Sequence, residues 1–181
     1  LFVLISQHYL FYYSDHNTER IRRFYQEEKN SLDVVFLGAS DVFTDFSSGL
    51  AYDQFGFTSY PFAQDANPGI IYQSQLLEVI KRQNPQKIVV EINGFLYDSR
   101  VGEAISGPVR RYLNCLPQNW NRLETAWKVA PEGEEFYYLF PWAKDHSNWK
   151  SFPEQFPLAM QMYRIRFGGS RLKGNVSTMN R

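Results

Sequence analysis

The sequence holds one cysteine, three histidines and no excess of either charge, and each shortage removes a class of chemistry. With Cys115 alone, neither an intrachain disulfide nor a cysteine-based metal cluster can form. Its simplest role is that of a small core residue. The histidines show no His-x-x-x-His spacing, so zinc ligation has no donor set. No metal and no cofactor is expected. Basic and acidic residues number 19 each, and without a basic stripe no nucleic-acid surface is expected. P-loop and dinucleotide fingerprints are absent, as are repeats and low-complexity tracts. Apolar character is plentiful: 44% of the 181 residues are hydrophobic and 17% aromatic, which suits a globular chain with one core.

Apolar residues open the chain at Leu1–Ile5 and resume at Tyr9–Tyr13. The interrupted stretch falls short of the roughly 20 residues that a bilayer span needs. Residues 1–13 are read as the trailing end of a longer membrane anchor, with Tyr9, Tyr12 and Tyr13 at the interface. The other reading is an ordinary amphipathic N-terminal helix. Residues 14–31 are charged, with Ile21, Phe24 and Tyr25 at helical spacing. They predict a neck helix that Asn30-Ser31 ends.

From residue 32 on, the pattern changes. Leu32–Leu37 reads as a buried strand, Phe57–Phe62 as a second and Lys87–Ile92 as a third. Residues 41–46 predict a helical turn, and Ser47-Ser48-Gly49 a loop. Ile70, Leu76, Leu77 and Ile80 trace the apolar face of a helix over about 70–83, which Asn84-Pro85 stops. Asn119–Val129 reads as a further helix with Trp120, Leu123 and Trp127 on one face, and Glu134–Leu139 as the start of another element. Strands that alternate with helical segments predict a parallel sheet with covered faces. Right-handed crossovers bring its strand ends to one edge. Ser40, the 64–69 turn and Asn93 should therefore converge.

That edge is where open α/β sheets place their chemistry. Gly38-Ala39-Ser40 delivers a serine to it, but Val42 stands where a nucleophile elbow would have its second glycine. Ser40 is read as a nucleophile, or else as the cap of the next helix. The Asn93 amide and the Ser40 backbone N–H would be donors to a developing oxyanion. Asn67 offers a further donor, and Gly69 allows close backbone approach to a ligand; both also serve as turn residues. His146, beside Asp145, is the base expected in the main body, unless it is an aromatic-packed structural histidine. His8 lies in the apolar start and His16 in the neck.

Asp33–Asp41, Asn67-Pro68-Gly69 and Val89–Asn93 together resemble the SGNH (GDSL-like) hydrolase superfamily, and specifically its membrane-anchored bacterial envelope branch. The resemblance covers residues 30–98, with a weaker echo at Trp142–Trp149. It puts Ser40 at the nucleophile position and Asn93 at the block asparagine. Ala39 replaces the usual aspartate, and Glu91 replaces a usual glycine. It implies a three-layer α/β fold with a mostly parallel, flavodoxin-like sheet over 32–181; from their own residues, 99–181 read as irregular and aromatic-rich. It further implies a serine esterase or O-acyltransferase acting on acyl esters of envelope carbohydrate at the extracytoplasmic face of the cell membrane. Ser40, Asn93 and His146 would be catalytic, and Asp41, Asn67 and Gly69 would bind substrate. The partners would be an acylated carbohydrate or polymer and a membrane O-acyltransferase. The family's Asp-x-x-His block has no match, since Ala143 stands three residues before His146. The chain is therefore expected to be a fragment, inactive alone, whose closing block lies beyond Arg181. The alternative is a non-catalytic carbohydrate-binding or assembly partner that keeps the fold.

Overall fold

The structure, a computed structural model, describes residues 16–96, 103–141, 143 and 150. The apolar start, His8 and His146 lie outside them. The order of elements is α1 (His16–Phe24), β1 (Val34–Gly38), α2 (Ser40–Asp45), α3 (Ser48–Phe55), β2 (Ser59–Ala63), α4 (Tyr72–Gln83), β3 (Lys87–Val90), α5 (Glu103–Cys115), α6 (Trp120–Val129) and α7 (Glu135–Leu139). Single 3-10 turns at Gly69–Ile71 and Asn93–Leu96 lead into α4 and out of β3.

The three strands form one parallel sheet in the order β2-β1-β3. Val35 lies opposite Tyr60 and Ile88, and Leu37 opposite Phe62 and Val90. Because side chains alternate along a strand, these six residues share one face. On it, Val35, Leu37, Tyr60 and Phe62 join Ile21 and Phe24 of α1, Val79 of α4 and Val109 and Tyr112 of α5 in the core. Helix α1 is thus part of the same globular unit rather than a free neck. Its Phe24 ring stacks on Phe62 at 4.3 Å. Two buried phenols, Tyr60 donating to the Arg20 carbonyl and Tyr112 paired with Ser74, tie the core's polar atoms.

The opposite face has a thinner cover. Phe36 packs on Phe46 at 4.1 Å, and α3 lies near β2. On that face Val89 stays 44% exposed, so β3 is not the fully buried strand that its composition predicts. Serine 47 caps α3 by accepting from the Leu50 N–H, which turns the expected 47–49 loop into a helix start.

Two helices are rotated from their predicted faces. In α4, Leu77 and Ile80 point outward, while Tyr72, Gln75, Glu78 and Val79 are buried. The buried polar groups have partners that justify their position: Glu78 accepts from Tyr25, Asn119 and Asn121. In α6, Trp120, Leu123 and Trp127 share a face as predicted, but it faces out; Arg122, Thr125, Ala126 and Val129 face in. Residues 103–139 form three helices, of which the second and third fall on the segments read as a helix over 119–129 and an element starting at 134.

Candidate active site

Parallel pairing brings the carboxyl ends of β1 and β3 to one edge. The chain leaves β1 for β2 on one side and returns to β3 on the other. The β1/β3 junction is thus a topological switch point, the usual ligand crevice of such sheets.

Four rim residues meet across this junction. Asn93 Nδ2 donates to Asp41 Oδ2 at 2.8 Å. Glu91 Oε2 accepts the Ala39 N–H at 2.9 Å, and its Oε1 accepts the Asn93 N–H. Ser40 is half-buried at the first position of α2. The residue at the N-cap position is Ala39, and no side chain caps the helix, so Ser40 does not perform the capping role. Glycine 38 makes room for this packing: a Cβ there would lie 2.4 Å from Val42 Cγ2 and 2.5 Å from Glu91 Cβ.

Asn67 stands apart from the other rim side chains. It is fully buried, and its amide donates to Gln75 Oε1 at 3.0 Å while its Oδ1 accepts from Gln64 at 3.0 Å. The donor it was expected to offer a substrate is engaged within the fold. Gln64 also donates to the Pro108 carbonyl, so this amide cluster ties the turn to α4 and α5. Gly69 also serves packing, since a Cβ there would meet the Phe95 ring at 2.7 Å. Asp41 and Asn93 are solvent-exposed. A cleft of about 30 Å³ between α4 and α6, lined in part by Ser74, Asn121 and Thr125, shares no residue with the rim.

Sequence reasoning passed over a second pair. His16 Nε2 lies 2.9 Å from Asp65 Oδ2, just past the end of β2. Asn17, itself buried, brackets the same carboxylate: its Nδ2 donates to Oδ2 at 2.9 Å and its Oδ1 accepts the Asp65 N–H at 2.8 Å. Burial pushes the Asp65 carboxyl up, but the hydrogen bonds from Asn17 and His16 outweigh it and hold the group below its ordinary value. A folded-state pKa below the unfolded one adds stability above about pH 4, which is lost as pH falls. Asp65→Asn should therefore flatten the acid limb of urea-midpoint stability below about pH 4. The change should be small, because the side chain is 44% exposed and solvent screens it. An unchanged acid limb would count against the bracketing. No spacing signal in the sequence joins positions 16 and 65; only the docking of α1 on β2 does.

Among the described residues no group of three or more His, Cys, Asp or Glu side chains is placed to hold a metal ion, and no helix is long and apolar enough to cross a membrane. No protein-family model, curated protein or solved structure matches the chain. The class that fold and rim define is a mixed α/β protein with a parallel three-stranded sheet and a polar switch-point crevice.

Proposed function

We infer that the chain carries the nucleophile of an SGNH-type serine esterase or O-acyltransferase that acts on acyl esters of envelope carbohydrate. The observation that carries this reading is the Ser40 turn and Asn93 side by side at the β1/β3 switch point, joined through Asp41. The strand order β2-β1-β3 supports it, since a flavodoxin-like sheet begins that way. In this reading the Ser40 oxygen attacks the ester carbonyl carbon and its proton passes to a base. The carbonyl π electrons move to oxygen, where the Asn93 amide stabilises them. Collapse expels the alcohol with that proton and leaves an acyl-serine. Water or a sugar hydroxyl then takes the acyl group by the same steps. The envelope substrate, the membrane O-acyltransferase partner and the extracytoplasmic membrane location rest on the sequence resemblance and the apolar start.

A specific observation favours a second reading, a carbohydrate-binding or assembly partner without turnover. The Asn93 amide and the backbone N–H groups of Ala39 and Asn93 already serve two carboxylates. An anion forming there would have to displace them. A serine-directed fluorophosphonate decides between the two. Under the enzyme reading it labels Ser40, and Ser40→Ala abolishes the labelling. A folded protein that stays unlabelled at Ser40 supports the non-catalytic reading.

A further inference from the structure

Ser40 sits between two residues that are each tied to the exit of β3, Ala39 to Glu91 and Asp41 to Asn93. We propose that Glu91 is a positioning residue, whose carboxylate holds the serine turn in place against the Asn93 amide; the proposal rests on Ser40 being the nucleophile.

Three observations carry it. The first is what the carboxylate binds. Among the described residues no lysine or arginine pairs with Glu91. A half-buried charge without a counter-ion is costly unless hydrogen bonds replace the water it loses. Here Oε2 accepts the Ala39 N–H at 2.9 Å and Oε1 accepts the Asn93 N–H. Bonds to an ionised acceptor are stronger than neutral ones. One carboxylate thus joins the turn that carries the hydroxyl to the turn that carries the amide. The second observation is where these bonds lie. The β1–β3 pairing runs to Leu37 and Val90, and the Glu91 N–H donates to the Leu37 carbonyl at 2.8 Å. Backbone bonds therefore fix the register without the side chain. The carboxylate acts further along the chain, past the paired residues, on the residue before Ser40. The third observation is room. A Cβ at Gly38 would lie 2.9 Å from Glu91 Oε2 as well as 2.5 Å from its Cβ, so a side chain there would crowd the carboxylate out of this place.

With Ala39 held by Glu91 and Asp41 held by Asn93, the chain on both sides of Ser40 is referred to the same short segment, residues 91–93. The Ala39 and Asn93 N–H groups then belong to the frame, and the Asn93 side chain is the group that meets a developing oxyanion. Glu91 touches no reacting atom and moves no proton. It acts by geometry alone. Attack requires the serine oxygen to be close to the acyl carbon and correctly aimed, and a displacement of about 1 Å can cost about 100-fold in rate.

The test follows fluorophosphonate labelling of the whole chain, resolved into a maximal rate and a half-saturating probe concentration, with the labelled residue identified by peptide mapping. Glu91→Gln keeps the length and one acceptor oxygen, and should lower the maximal rate about tenfold. Glu91→Ala removes both acceptors and should lower it about 100-fold. Half-saturation should stay unchanged in both, since Glu91 does not touch the probe. Rates are read at a temperature where thermal unfolding shows each variant to be folded, so lost stability does not enter. Added formate, a carboxylate small enough for the vacated place, should restore part of the rate in Glu91→Ala and leave the wild type as it is. A residue that only braces the fold would give neither the slower folded variant nor the rescue. Wild-type labelling at Ser40 whose maximal rate Glu91→Ala leaves unchanged overturns the proposal and spares the nucleophile, as does a change confined to half-saturation. Labelling that survives Ser40→Ala, or none on the wild type, removes the nucleophile reading and this positioning role with it.

Discussion

Replacing Arg122 with alanine should destabilise the fold by about 3–5 kcal/mol and lower its thermal midpoint by roughly 10 °C. The side chain is 1% exposed, and among the described residues it has no carboxylate partner. Its donors go instead to helix ends. Nε donates to the Leu113 carbonyl at 3.1 Å in the last turn of α5, and an Nη donates to the Leu139 carbonyl at 3.2 Å at the end of α7. Such carbonyls lack intrahelical partners and carry the negative end of the helix dipole, so a cation suits them. At Leu113 the deficit is written in the chain: the residue four positions on is Pro117, which has no N–H. The Leu116 N–H reaches that carbonyl at 3.3 Å, and Arg122 supplies the second bond. Truncation removes both arginine contacts and the packing of its stem. Arg122→Met keeps much of the volume but not the donors, so it should recover part of the loss only. Denaturant unfolding of the three proteins checks this. If the methionine variant matches wild type, packing rather than carbonyl satisfaction holds the α5–α6–α7 corner.

Arg122 also shows where reading the sequence stops. The period of α6 is visible in Trp120, Leu123 and Trp127, yet its phase is not, because an apolar stripe is expected to face inward. Here buried carbonyls recruit the opposite face. The same happens in α4, where Gln75 and Glu78 are drawn inward by Asn67, Tyr25 and Asn121 at the expense of Leu77 and Ile80. Buried polar networks depend on partners remote in the chain, and no local window contains them. The strands were easier to read, since β-branched runs closed by turn residues mark parallel strands wherever they pair. Their winding then fixed that residues 38 and 90 end at one edge. What stayed hidden at the rim were the contacts that needed side-chain detail, namely Glu91 spanning two backbone N–H groups and His16 meeting Asp65.

Gly38→Ala should cost about 2–4 kcal/mol and disturb the rim as well as the fold. The added methyl would sit 2.5 Å from Glu91 Cβ and 2.4 Å from Val42 Cγ2. Neither atom is the free end of a flexible chain. The Glu91 Cβ is tied directly to the backbone leaving β3, whose N–H donates to the Leu37 carbonyl at 2.8 Å. Val42 is buried on α2. Relief requires β1 and β3 to part at their carboxyl ends, or α2 to lift. Either movement breaks the Glu91 bond to the Ala39 N–H and separates Asp41 from Asn93. Serine-probe labelling should therefore fall further than the stability loss alone would predict at a temperature where the variant is still folded. The cause can be isolated with Glu91→Gly, which removes the Cβ in the way together with the carboxylate. If the clash dominates, the double variant should be at least about 1 kcal/mol more stable than the sum of the two single losses, the coupling expected of residues in contact. Additive losses would instead mean that β1 and β3 are held at this edge by something other than the close approach of Gly38 to Glu91.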